Sequence, residues 1–190
     1  MKKAHRQFLR DRDFNPDRIE KVWGIEGLGM EGHYKSNGKR IPLKWRLYIP
    51  IETAGVVSSW TTRTISHDPD TCRYISAPPD HERINHKQLL YGEDYAGQSI
   101  IIVEGPTDVW RIGPGAVATF GTRPTAAQII RMGRYIERYV LFDHGAERYS
   151  QALVEALSAF PGKTHVIELD ADDPGSMTSK ELRQVRNLLC

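Results

Sequence analysis

The run Ile100-Ile101-Ile102-Val103-Glu104-Gly105-Pro106-Thr107-Asp108 leaves the chain few folds to choose from. Four consecutive β-branched residues lead straight into a glutamate and a glycine, the pattern of a strand buried on both faces of a parallel sheet. Pro106 then suits the first turn of a helix. A second run, Tyr139-Val140-Leu141-Phe142-Asp143, repeats the design. The carboxyl ends of parallel strands are where open α/β sheets collect ligands. Two hydrophobic strands that each end in an acid can bring paired carboxylates to one divalent metal.

At 190 residues the chain is long enough to bury a core without disulfides or metal staples. No stretch approaches the apolar length of a membrane span, and the basic, polar start has no apolar signal region, so a cytoplasmic setting is expected. Cys72 and Cys190 have neither zinc spacing nor a disulfide framework. Net charge is only +2, but its distribution is uneven. Lys2, Lys3, Arg6, Arg10 and Arg12 crowd the start, Lys35, Lys39, Arg40, Lys44 and Arg46 follow, and Glu168, Asp170, Asp172 and Asp173 form an acidic cluster near the end. A basic half beside a carboxylate site suits phosphate-bearing partners, although mixed surface charge is the plainer reading.

Character changes near residue 98. Before it, segments are short and turn-rich. Asn15 caps a small helix from Pro16 to about Val22, glycines at 24, 27, 29 and 32 break regularity, and strands are expected over 46–51, 56–65 and 73–76, the first two joined by a hairpin turn at 52–55. Beyond it, strands at 100–104, 116–120, 139–143 and 164–169 alternate with helices near 106–112, 125–138, 147–159 and 178–189. Thr125 and Gln128 stand at capping-box spacing, and Ile129, Ile130, Met132, Gly133 and Ile136 give that helix an apolar face. The pattern predicts a basic mixed α+β subdomain over 1–97 and, over 98–190, an α/β domain with a largely parallel sheet flanked by helices.

Val103-Glu104-Gly105, Ala116-Val117-Ala118-Thr119-Phe120-Gly121-Thr122 and Leu141-Phe142-Asp143 together resemble a TOPRIM domain. Upstream, Arg46-Leu47-Tyr48-Ile49-Pro50-Ile51, Trp60-Thr61-Thr62-Arg63, Arg73-Tyr74-Ile75-Ser76-Ala77-Pro78 and His86-Lys87-Gln88-Leu89-Leu90-Tyr91-Gly92 resemble, in order, the basic subdomain that precedes TOPRIM in bacterial and phage DNA primases. The likeness covers roughly residues 10–185. It implies a nucleotidyltransferase core for DNA replication that makes RNA primers on single-stranded DNA, with Mg2+ or Mn2+ as cofactor. Its partners would be single-stranded DNA template, nucleotides and a separate zinc-binding or helicase subunit, with no membrane.

Carried over by position, Glu104 and Asp143 would be catalytic and metal-binding, with Asp172 and Asp173 as further metal-binding acids. Arg63, Arg73 and Lys87 would contact nucleic acid or triphosphate, and Tyr74 and Tyr91 would stack on bases. Simpler roles stand beside these. Acids at helix starts are favoured by the helix dipole, and tyrosines in a small β domain usually pack. Asp108 reads as a first-turn acid or a group supporting Glu104, His144 as an exposed loop residue, and Trp23, Trp45, Trp60 and Trp110 as packing. Two positions depart from the family pattern: Gly145 stands where the second acid of an Asp-x-Asp pair would fall, and Gly175 replaces another acid. Glu147, two residues beyond Gly145, is a candidate substitute. Two alternatives therefore accompany the primase reading. One is a TOPRIM nuclease using the same metal. The other is a catalytically inactive nucleic-acid or nucleotide-binding accessory protein, which the two glycines favour and the intact Glu104-Gly105 opposes.

Overall fold

The structure is a computed structural model that describes residues 1–168 and 174–189. Two compact units form: Met1–Ile51 with Val56–His86, and Glu52–Gly55 with Lys87–Cys190. Among the described residues no helix is long and apolar enough to cross a membrane.

The first unit opens with α1 (Lys3–Arg10) and α2 (Pro16–Trp23). Asn15 caps α2 as expected: its side chain accepts from the backbone N–H groups of Asp17 and Arg18, and Gly24 stops the helix at φ 62°. A four-stranded sheet follows in the order β1 (Glu26–Leu28), β4 (Arg46–Thr53), β5 (Val56–Thr64), β6 (Tyr74–Ser76). Ala54 and Gly55, both at positive φ, turn β4 into β5. Between β1 and β4 lies a separate hairpin of β2 (His33–Ser36) and β3 (Lys39–Pro42), which the glycine-broken reading of this stretch missed. Its turn is Asn37-Gly38 with φ of 49° and 74°, the two positive values a two-residue hairpin turn demands. That dipeptide was the available signal. Helix α1 was also unforeseen, because a short basic segment carries little apolar periodicity; Phe8 and Leu9 nevertheless bury one side of it.

The second unit is built on a sheet of order β10 (Lys163–Val166), β9 (Glu137–Val140), β7 (Ser99–Val103), β8 (Ala116–Ala118), all parallel. The helices are α3 (Pro106–Ile112), α4 (Ala126–Met132), α5 (Glu147–Leu157) and α6 (Ser179–Asn187). The connection through α3 moves outward from β7 to β8, whereas α4 carries the chain back past β7 to β9. Right-handed crossovers therefore place α3 on one face and α4 and α5 on the other. Ile100, Ile102, Val117 and Val140 form a core with Met132, Leu153 and Leu157 from α4 and α5. Ile101 and Val103, on alternate positions of the strand, are buried with equal completeness on the opposite side. This two-sided burial is what an uninterrupted apolar strand requires.

Helix α4 departs from expectation. It ends at Met132, with Gly133 as its C-cap, rather than reaching residue 138; the Phe160 ring lies where a Gly133 side chain would be, and a Cβ there would meet Phe160 Cδ1 at 2.3 Å. Ile130 and Ile136 are 54% and 56% exposed, so they lie outside the apolar face assigned to them. Gln128 is buried instead. The predicted capping box with Thr125 forms, the Gln128 Oε1 accepting from Thr125 N–H at 2.9 Å. Its Nε2 donates to Leu89 O at 2.8 Å and to Thr119 O at 3.1 Å. One amide thus ties three backbone segments together inside the core.

Replacing Gln128 with leucine keeps the volume but orphans those buried backbone groups, and should lower stability by about 3 kcal/mol. Urea denaturation midpoints compared with the parent chain would measure it; a loss below about 0.5 kcal/mol would show that the amide network is not a principal tie.

Candidate active site

Loops leaving β7 and β9 diverge to opposite faces of the sheet, α3 on one side and α5 on the other, although the two strands are neighbours. That divergence opens a crevice at their carboxyl ends. The register pairs Ile102 with Val140, and Leu141 N–H donates to Ile102 O at 2.9 Å. Glu104 and Asp143 therefore emerge side by side. Asp143 N–H donates to Glu104 Oε1 at 3.2 Å. Glu104 is half-buried and Asp143 exposed. The Glu104 carboxyl titrates above its ordinary value, first because burial penalises its charge and second because the Asp143 carboxylate repels it; the Asp143 N–H opposes both.

Both groups offer hard oxygen ligands, and a divalent cation would relieve their mutual repulsion. Among the described residues no group of three or more His, Cys, Asp or Glu side chains is placed to hold a metal ion. Magnesium commonly binds one or two carboxylates and completes its shell with water and substrate phosphates, so this pair fits such a site. Asp172 and Asp173 lie outside the described residues.

The surroundings are tightly specified. Asp108 Oδ2 accepts from Gly105 N–H at 2.9 Å, which fixes the turn that carries Glu104 into α3. Gly121 N–H donates to Glu104 O at 2.9 Å, and Thr119 Oγ1 donates to Gly121 O at 2.8 Å. Phe120 holds a positive φ of 59° in this turn, a strained conformation for a non-glycine residue. Lys87 Nζ donates to Phe120 O at 2.5 Å, and burial lowers the lysine's pKa. Lys87 is thus half-buried against the turn beside Glu104 rather than extended into solvent.

Beyond Asp143, His144 is exposed. Gly145 has φ of 90° with open space around it, and Glu147 Oε1 accepts from its N–H at 2.8 Å. Amide donors, Gly145 N–H foremost, draw the Glu147 carboxyl below the usual range. Glu147 therefore closes the turn at Gly145.

Of the expected aromatic contacts, Tyr91 is 3% exposed. Its hydroxyl accepts from Trp110 Nε1 at 2.8 Å and its ring meets Phe120 at 6.5 Å, so it takes the packing role and no base can reach its face. Trp23, Trp60 and Trp110 also pack, while Trp45 is half-buried.

Arg63, Arg73 and Tyr74 belong to the first unit. Across the β5–β6 pairing, Arg63 Nη1 donates to Tyr74 OH at 2.5 Å with its guanidinium 5.2 Å from the ring centre. Arg63 is only 7% exposed, and its Nε has no hydrogen-bond partner. Arg73 is exposed. Arg46 escaped sequence reasoning as more than one of a basic series. It is buried and donates through Nε to Thr62 Oγ1 and through Nη2 to the Cys72 and Arg73 carbonyls, locking the segment that presents Arg73.

The raised Glu104 pKa has a definite sign in stability. The folded chain binds this proton more tightly than the unfolded chain. The stabilisation is therefore full below the unfolded value, near 4.5, and is lost as pH rises through the raised folded value. Glu104→Gln keeps the acceptor for Asp143 N–H and removes the charge. Without metal it should melt higher than the parent at pH 7 and converge with it in acid, as thermal scans across pH would register. A lower midpoint at pH 7 would contradict the crowding described here.

No protein-family model matches the sequence, and no curated protein does either. Solved structures do. The chain is 18% identical to a DnaG primase catalytic domain bound to single-stranded DNA, with a TM-score of 0.73 over 97% of this chain and 73% of that one. The primase fragment of the bacteriophage T7 primase-helicase protein gives 14% identity and a TM-score of 0.62 over 96% of this chain and 73% of its own. A chain from a bacteriophage T7 lagging-strand DNA polymerase assembly, with primase domains on an RNA/DNA hybrid, gives 16% and 0.52 over 88% and 92%. The fold expected from the residue pattern is a small basic mixed α+β subdomain followed by a helix-flanked parallel sheet; the structure has an antiparallel sheet region before that parallel sheet, and this fold matches that of primase catalytic domains.

Proposed function

We propose that this chain is a primase-type nucleotidyltransferase core that joins ribonucleotides on a single-stranded DNA template. The observation that supports this best is the meeting of Glu104 and Asp143 at the switch point of a sheet whose fold is shared with primase catalytic domains. In this reading the two carboxylates hold magnesium, or manganese in its place, and Asp172 and Asp173 add oxygen ligands. The metal, when bound, supplies neutralisation of phosphate charge during in-line transfer.

The chain's own residues then have distinct tasks. Glu104 must be deprotonated to serve, which burial and Asp143 oppose and a cation favours. Lys87, by donating to Phe120 O, holds the turn from Thr119 to Gly121 in the shape that lets a phosphate approach backbone. In the first unit Arg63 and Arg73 neutralise template or nucleotide phosphates, with Tyr74 orienting the Arg63 plane. A separate zinc-binding or helicase chain is the partner this reading implies, in a bacterial or phage replication setting.

One observation favours a second reading, a binding protein without catalysis. Gly145 lacks the acid, and the Glu147 carboxylate is committed to the Gly145 N–H.

Incorporation of labelled ribonucleotides on single-stranded DNA with magnesium or manganese separates these readings. The parent chain should extend primers, and Glu104→Gln should lose on the order of 100-fold or more. Magnesium together with a nucleoside triphosphate should also raise the melting midpoint of the parent but not of Glu104→Gln. Single-strand binding with no incorporation under either metal would select the second reading, and metal-dependent cleavage in a parallel control would select a nuclease.

A further inference from the structure

The β2–β3 hairpin presents an arrangement that folding alone does not favour. Its two faces are sharply different. Inward, Tyr34 and Ile41 pair across the strands and are half-buried. Tyr34 packs edge-on against Trp60 at 5.3 Å and against His81 at 5.5 Å. Ser36 Oγ donates to Asp80 Oδ1 at 3.1 Å, and His81 Nε2 lies 2.5 Å from Lys35 O. These contacts pin the hairpin by one side.

Outward, Lys35 stands directly opposite Arg40. Like charges facing one another across an antiparallel pair destabilise it. His33 shares this face two residues along the strand, and Lys39 and Lys44 flank it; all five side chains are exposed. The acid that answers them is Glu31, 3.7 Å from Arg40 and itself almost fully exposed. Beside the hairpin lies a cleft of about 400 Å³ lined by Met30, Glu31, His33, Arg40 and Lys44 among others. A basic face next to a groove of that volume matches a chain of phosphates joined by sugars.

We propose that the outer face of the β2–β3 hairpin is a docking track for the phosphate backbone of a single-stranded nucleic acid, with Lys35, Arg40 and Lys44 neutralising successive phosphates. The single-stranded form of the ligand is taken from the proposed function. The proposal rests on the primase-type reading for the identity of its ligand, not for the existence of the track.

The test measures binding of a fluorescent single-stranded oligonucleotide against salt, for the parent and for a Lys35→Gln, Arg40→Gln, Lys44→Gln triple variant. Removing three phosphate contacts should flatten the log–log salt slope by about 2 and weaken binding roughly tenfold to a hundredfold at 0.1 M salt. A control triple variant of equal charge loss, Lys21→Gln, Lys163→Gln, Lys180→Gln, should retain the parent slope. The melting midpoint of the hairpin variant should hold or rise, because the opposed cations are gone. A slope equal to the parent's, an equal loss in the control, or no single-strand binding by the parent at low salt would each overturn the track. Primer synthesis is read separately. Loss of binding in the hairpin variant of a chain that incorporates no nucleotide keeps the track and sinks the catalytic reading; intact binding with active synthesis does the reverse.

Discussion

The contact between Asp143 N–H and the Glu104 carboxylate organises the second unit's chemistry. It forms only because β7 and β9 are parallel neighbours in one register while their following helices depart to opposite faces. Had the chain turned both helices to the same side, one loop would cover the other strand's end. Two acids that repel each other are held together by backbone hydrogen bonding and by the packing of the apolar strands beneath them. The unit accepts this repulsion in the absence of a cation, and the upward shift of the Glu104 pKa is its electrostatic signature.

A comparable principle governs the cations. Arg46 and Arg138 are both buried, and each spends its donors on hydroxyls and carbonyls. Arg138 donates to Thr164 Oγ1, Tyr135 O and Pro161 O. Burial pulls both guanidinium pKa values downward, yet their ordinary value leaves them charged at any physiological pH. Carbonyl dipoles in effect solvate a fixed charge, so loops that would otherwise be free acquire definite geometry. The segment carrying Cys72 and Arg73 and the turn at Pro161 are both fixed this way, one beside a proposed phosphate contact and the other far from it in sequence. Buried guanidinium groups here are structural fasteners first, although the Arg63 Nε is a buried donor with no partner among the described residues.

The parallel sheet was legible because its central strands β7 and β8 are apolar runs and α4 begins with a recognisable cap, Thr125–Gln128. Glu104 and Asp143 were legible for the same reason, since a polar residue ending an apolar strand announces a strand terminus. What escaped was decided by single tertiary contacts. Gly133, the C-cap of α4, packs against one ring, Phe160, arriving from a distant turn. The β2–β3 hairpin is polar on its outer side, so alternation there was masked by lysines, and only Asn37-Gly38 marked it. Tyr91 could not be told from a stacking residue until Trp110 and Phe120 were seen against it.

The loop after Asp143 carries the largest consequence of sequence divergence from the primase pattern. Ala146 N–H returns to Asp143 O at 3.1 Å, and Gly145 sits at φ of 90°. An aspartate in that left-handed conformation would cost roughly 1 kcal/mol in backbone energy. Glycine removes that cost and, under the proposed function, leaves one carboxylate fewer for a metal. Glu147 returns negative charge to the same turn, but its oxygen is bound to the Gly145 amide. Negative charge thus stays in the turn, but that oxygen is already committed to the backbone. A site with fewer protein oxygens must draw more of its metal shell from water and substrate phosphates, so metal and nucleotide would bind as linked ligands, each raising the other's affinity. Under the proposed function, a chain built this way would hold its cation weakly alone and firmly only with polyphosphate present.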